Sequence, residues 1–126
     1  MITLDYRDKR PIYEQIVDKL SELMVKGVLK QDSPMPSVRS LAAELSINPN
    51  TVQRSYIELE RMGYIYSVRG KGSFVADISG IKNSRSKETE RAVEELVKEA
   101  KLVGISEEEL ILIIRQKYEE EEGRRD

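Results

Sequence analysis

The side chains with most chemistry to offer sit in three short stretches: Pro36-Ser37-Val38-Arg39, Asn48-Pro49-Asn50-Thr51-Val52-Gln53-Arg54 and Arg69-Gly70-Lys71-Gly72. Their chemistry is recognition, not bond breaking. Asn and Gln present a donor beside an acceptor and match the edge of adenine, while Arg matches guanine or a phosphate with two parallel hydrogen bonds. Basic residues between glycines come close to a phosphate backbone and neutralise it. The chain has no histidine and no cysteine. That removes the commonest general base, the Ser-His and Cys-His nucleophiles, disulfides, and zinc sites built on thiolate or imidazole. Carboxylates remain as ligands for magnesium or calcium, but no spacing gathers them. No catalytic residue, metal or cofactor is expected, and the chain is not read as an enzyme.

Charge decides little by itself. The formal net charge over 126 residues is −2. Residues 1–80 carry 11 Lys and Arg against 10 Asp and Glu, and residues 81–126 carry 10 against 13. Over Pro34–Val75 the count is 5 against 3. This is far from the strong basic excess of a nonspecific nucleic-acid binder, so a DNA reading has to rest on position. With 35% charged, 39% hydrophobic and 6% aromatic residues, the composition fits a soluble, helix-rich chain with a limited core. The length allows one modest domain, or a small domain with an appendage. The longest apolar run, Leu110-Ile111-Leu112-Ile113-Ile114, is far short of the roughly 20 residues that cross a bilayer. No apolar leader precedes Asp5, Arg7 and Asp8, so a cytoplasmic location without a membrane partner is expected.

The elements that must position the three stretches follow from periodicity and caps. Ile2 and Leu4 alternate around Thr3 as a short strand or arm. Pro11 opens a helix carrying Ile12, Ile16, Leu20 and Leu23, widened by Tyr13, Val17 and Met24, and Gly27 ends it. Gln31–Pro36 is a turn, since its two prolines forbid helix. Ser37 caps a short second helix with Val38, Leu41, Ala42 and Leu45, which Ser46-Ile47 breaks. Asn48 caps a third helix and Pro49 takes its first position; Val52, Ser55, Tyr56 and Leu59 share one face, and Gly63 closes it. Tyr64–Val68 and Ser73–Val75 read as strands joined across the basic glycine tip.

That order is a winged helix-turn-helix, in which the third helix enters the major groove with its N-terminal residues at base edges. The candidate DNA-binding residues are Arg39, Asn48, Asn50, Thr51, Gln53, Arg54, Arg69, Gly70 and Lys71. Each has a plainer reading. Asn48-Pro49 also serves as a cap alone, the hairpin tip as a basic surface turn, and Arg39 as a partner for Glu44 or Glu58 or as a free surface charge. A winged-helix adaptor that docks protein on the same surface is the alternative function. The polar outer face of the third helix, with Ile57 its one apolar side chain, argues against it.

Three motifs in this order, Pro36-Ser37-Val38-Arg39-Ser40-Leu41-Ala42, Asn48-Pro49-Asn50-Thr51-Val52 with Tyr56 and Leu59, and Gly70-Lys71-Gly72-Ser73-Phe74-Val75, closely resemble the GntR family of bacterial regulators. The Pro11-Ile12-Tyr13-Glu14-Gln15-Ile16 opening fits too. The Asn-Pro-Asn-Thr-Val form and a short helical tail are similar to its YtrA subfamily. The resemblance covers nearly the whole chain. It implies operator contacts by Arg39, Asn48, Asn50, Thr51, Gln53, Arg69 and Gly70, and a repressor of operons that include membrane transporter genes. The chain departs from many relatives at Met35 (often Leu), in the turn Gln31–Pro34 (often with Gly) and at Gln53 (often Arg). The Gln53 change bears on which operator is read.

The reading by domains is a winged helix-turn-helix over 1–76, a polar linker over 77–86 and a helical hairpin over 87–122. The fold class is mainly α with a small β-hairpin. Val93, Leu96, Val97, Ala100 and Val103 stripe the first tail helix, and Ser106-Glu107-Glu108-Glu109 is a capping box for the second. Glu119–Glu122 and Gly123–Asp126 read as a fraying end. Five consecutive apolar residues point all around a helix axis, so one partner helix cannot cover them. Leu96, Val97, Val103, Leu110, Ile111, Ile113 and Ile114 are therefore expected to bury against a second copy, with docking onto the chain's own winged domain as the alternative. About 40 residues after the linker are too few for an enclosed effector pocket of the usual ~300 Å3. Whether a small-molecule effector exists is left open.

Overall fold

Pro11 cannot donate a backbone N–H and its φ is already helical, so the chain turns into α1 (Ile12–Val25) directly after it. The computed structural model describes residues Met1–Arg124; of Arg124 only the backbone is described. Ser37, in an extended conformation, starts α2 (Val38–Leu45) by accepting the Ser40 N–H at 3.0 Å. Ser46 ends α2 in the left-handed region. Asn48 then starts α3 (Pro49–Arg61), its Oδ1 accepting the Asn50 N–H at 2.9 Å. Gly63, with φ +87°, reverses the chain after α3, a backbone that a β-carbon would strain.

The strands are β1 (Ile65–Val68) and β2 (Gly72–Val75), paired antiparallel with Ile65 opposite Val75 and Val68 opposite Gly72. The turn before α2 adds to this sheet. Asp32 N–H donates to Val75 O at 2.8 Å, Val75 N–H to Ser33 O at 3.0 Å, and Met35 N–H to Ser73 O at 2.8 Å. Three residues of the proline-rich turn thus act as a third, irregular strand, and Pro34 sits at its bridge to Phe74. Proline tolerates that edge because its missing N–H faces away from the ladder.

The apolar faces meet in one core. Ile16, Leu20 and Met24 of α1, Leu41 and Ala42 of α2, and Val52, Tyr56 and Leu59 of α3 pack with Ile65 and Val75 of the hairpin. Fully burying each large aliphatic side chain contributes roughly 1.5–3 kcal/mol, so these few residues carry most of the domain's stability. The N-terminal arm forms no strand. Buried Gln15 holds it instead, donating to Asp5 O at 2.9 Å and accepting the Asp5 N–H at 2.9 Å, while Ile2 and Leu4 lie half-buried against the core.

The chain divides into two compact units, residues 1–83 and the residues from Ser84 onward. α4 (Ser79–Val103) begins inside the segment read as a linker. Only Asp77 and Ile78 of that segment precede the helix. Asp77 explains the start, its carboxylate accepting the Ser79 N–H at 3.0 Å as a cap does. Gly104, with φ +84°, ends α4. Ser106 opens α5 (Glu107–Arg124) by accepting the Glu109 N–H at 3.2 Å. The expected frayed end at Glu119–Glu122 and Gly123 is helical as well, through Arg124; Arg125 and Asp126 lie outside the described residues. No helix among the described residues is long and apolar enough to cross a membrane.

Candidate nucleic-acid interface

The third helix has one face committed to the core and the other to solvent. Val52, Ser55, Tyr56 and Leu59 are buried, and at 100° per residue the opposite side is formed by Asn50, Arg54, Ile57 and Arg61. Asn50, Gln53 and Arg54 are exposed and Thr51 is half-buried. Asn48 is exposed too; its Oδ1 accepts the Asn50 N–H, and its amide nitrogen makes no hydrogen bond among the described residues.

Hydrogen bonds tie the three candidate stretches to each other through the elements that carry them. Tyr56 donates its hydroxyl to Pro36 O at 2.8 Å and so joins α3 to the residue just before α2. Burial pushes the Tyr56 phenol up to about 12, which keeps it a neutral donor. Glu60 of α3 accepts the Ser67 N–H at 3.1 Å and the Ser67 hydroxyl at 3.2 Å, fixing β1 to the end of α3. Tyr66 stacks on Phe74 with ring centres 5.7 Å apart and donates its hydroxyl to Asp32 at 2.8 Å. That bond to a carboxylate raises the Tyr66 pKa. The hairpin is thus braced on both sides, and its tip is left free.

At that tip Gly70 and Gly72 have φ of +79° and +102°, and open space surrounds the position of an added β-carbon at each. They are required by backbone conformation, not by crowding. Arg69 and Lys71 are exposed, as is Arg39 in the first turn of α2. None of these three cations has a hydrogen-bonding or ionic partner among the described residues. Arg39 is not an ion-pair partner of either glutamate: Glu44 pairs with the N-terminal ammonium, and Glu58 with Arg61. The Arg61 hydrogen bond holds the Glu58 carboxyl below its ordinary range.

Arg54 is the exception among the candidates. Its guanidinium carbon lies 3.8 Å from the centre of the Tyr13 ring. Tyr13, read from sequence only as part of the α1 stripe, is thus a neighbour of α3, and no local pattern marks it as one. Gln15, Glu60 and Tyr66 are likewise positioning residues whose partners lie at |i−j| of 10, 7 and 34.

The tail side chains singled out by sequence are exposed in the chain. Leu96, Val97, Val103, Ile111, Ile113 and Ile114 are between 37% and 60% exposed, and Leu112 is 57% exposed. Leu110 is half-buried. Ala100 is the buried residue of α4.

Comparison with known proteins fits this geometry. The family described as bacterial regulatory proteins, gntR family, matches residues 12–75, the span from the start of α1 to the end of β2. The HTH-type transcriptional repressor YtrA of Bacillus subtilis is 38% identical over 112 residues, covering 87% of this chain and 86% of that protein. A transcriptional regulator from Oenococcus oeni superposes with a TM-score of 0.71 at 30% identity, over 94% of this chain and 99% of the other. The DNA-binding domain of AraR in complex with operator ORE1 superposes with a TM-score of 0.52 at 27% identity, over 59% of this chain and 90% of that one. A braced winged helix-turn-helix with unpaired cations, matched by the family over residues 12–75 and by YtrA over 87% of the chain, places this chain in the GntR family of bacterial regulatory proteins, as a DNA-binding transcription regulator similar to YtrA.

Proposed function

We propose that this regulator is a repressor that binds a palindromic operator as a homodimer. The observation that carries the reading is the set of exposed cations left without partners, Arg39, Arg69 and Lys71, on elements hydrogen-bonded to one another. An unpaired cation on a braced element releases counterions when it meets a phosphate and loses no internal bond in doing so. In this reading Asn50, Thr51 and Gln53 meet base edges, Asn48 and the start of α3 take a phosphate, and Arg39 and the Arg69-Gly70-Lys71 tip flank them. Arg54 adds a further contact. YtrA is named a repressor, and the AraR domain is recorded on an operator; both support the same role here. The regulated operon includes transporter genes, as likeness to YtrA-type regulators implies.

The test is a titration on duplex selected by the protein from a randomised pool. Arg39→Ala and Arg69→Ala each cost roughly 1–3 kcal/mol of affinity while the fold is kept. Unchanged binding by both would overturn the contact assignments. A steep loss of affinity with salt separates this role from protein docking on the same face.

A further inference from the structure

The two arginines on the outer side of α3 differ in what they are bound to. Arg61 is neutralised by Glu58, through Nε at 2.9 Å and a second short contact from its Nη2. Glu58 is also the residue one helical turn beyond Arg54, where an i,i+4 ion pair would be expected. Arg54 instead lies on the Tyr13 ring, and its guanidinium N–H groups have no hydrogen-bond partner among the described residues. Stacking occupies the flat face of a guanidinium and leaves its in-plane donor fork open. Tyr13 is itself held against α3, since Ser55, next to Arg54, places its hydroxyl 3.1 Å from Tyr13 O.

Building on the proposed operator binding, we infer that Tyr13 is a positioning residue for DNA recognition. It holds the Arg54 guanidinium, with its donors unspent, as a phosphate clamp at the α1-side rim of the recognition helix. The clamp is sequence-independent: base edges are read by Asn50 and Gln53, and Arg54 meets the backbone. A flexible arginine loses side-chain freedom when it binds, whereas a stacked one has already lost part of it.

The experiment uses the full chain, a duplex selected from a randomised pool, and a mixed-sequence duplex lacking that site. Arg54→Ala is expected to weaken both complexes by a similar factor and to lower the slope of log Kd against log salt by about 1. Tyr13→Leu keeps apolar bulk without the π face. It is expected to weaken binding about two- to fivefold, and to have no further effect in the Arg54→Ala background. Tyr13→Phe, which keeps the ring, is expected to match the parent chain. An effect of Arg54→Ala confined to the selected duplex makes Arg54 a base reader and overturns the proposal. So does an effect of Tyr13→Leu that persists without Arg54. If Tyr13→Leu does not fold, Arg54→Lys decides: it keeps the charge but not the stacked fork, and parental affinity would overturn the proposal. Arg39→Ala separates the two ideas. Loss of binding there, with none at Tyr13 or Arg54, removes the clamp and leaves the operator reading intact. A wild-type chain without salt-dependent DNA binding removes both.

Discussion

Tyr56 shows how a single side chain serves core and interface together. Its ring is buried, 5% exposed, and its hydroxyl reaches Pro36 O across the gap between α3 and α2. Tyr56→Phe removes the donor, leaves the Pro36 carbonyl short of a partner, and is expected to cost about 1 kcal/mol in denaturant unfolding at neutral pH. Burial raises the phenol to about 12 from an ordinary value of about 10. The folded state therefore favours the protonated form. Its stabilising effect is whole below pH ~10 and is lost as the pH climbs from there through 12. Tyr56→Phe, which cannot ionise, is expected to flatten that alkaline fall; equal slopes for both proteins would contradict the assignment. Periodicity alone assigned Tyr56 to the buried face of α3, because position on a helix decides burial. Its hydroxyl partner was not legible, since it depends on how two helices cross. Arg54 failed in the other direction: sequence put it on the outer face but gave no hint of the ring beneath it.

At the scale of elements, what is local was legible and what is long-range was not. Ser37, Asn48-Pro49 and Ser106 announce helix starts because a cap satisfies N–H groups two or three residues away, and Gly63 announces a helix end because it takes a positive φ without strain. The pairing of residues 32–35 with β2 joins segments about forty residues apart, and no nearby residue encodes it. That most of the segment read as a linker is helical was illegible for a different reason. A solvated helix and a polar loop share a composition, and residues 82–86 carry no apolar stripe and no proline to tell them apart. Two caps allow a test. Asn48→Ala is expected to cost ~1 kcal/mol of stability and to loosen the start of α3, lowering operator affinity as well. Asp77 answers to pH. The Ser79 N–H holds its carboxyl below the ordinary range, so its cap is present above the unfolded carboxyl value and lost as acid protonates it. The protection factor of the amides in the first turn of α4, with the intrinsic pH dependence of exchange divided out, is expected to fall in acid for the parent chain, and to be low at every pH for Asp77→Ala. Protection unchanged by the substitution would show that packing of Ile78 and Ile81 starts α4 instead.

For the whole molecule, the question is what covers the tail. Leu110–Ile114 carries five apolar side chains in succession on α5, four of them at least 40% exposed, and no single neighbouring helix can face all of them. An exposed apolar set of this size is characteristic of an interface, and a two-fold pair would bury the same residues twice over. At roughly 25 cal/mol per Å2, covering a few of these side chains supplies several kcal/mol per subunit, enough to offset part of the cost of association. The DNA end of the chain makes its own demand. One wing and one recognition helix read a half-site only, and two copies set about 34–36 Å apart read a palindrome over one helical turn. Leu110→Glu together with Ile114→Glu is therefore expected to yield a monomer by light scattering at micromolar concentration. Its affinity for the palindrome should fall far more than its affinity for an isolated half-site, because the contacts within each half-site survive while their linkage is lost. A parent chain that is monomeric under the same conditions would refute the pairing, and equal losses on palindrome and half-site would place the effect in folding instead. In the proposed pairing the apolar run of the tail offsets the modest charge of the winged domain, since a surface with only a few unpaired cations would gain affinity by being used in duplicate.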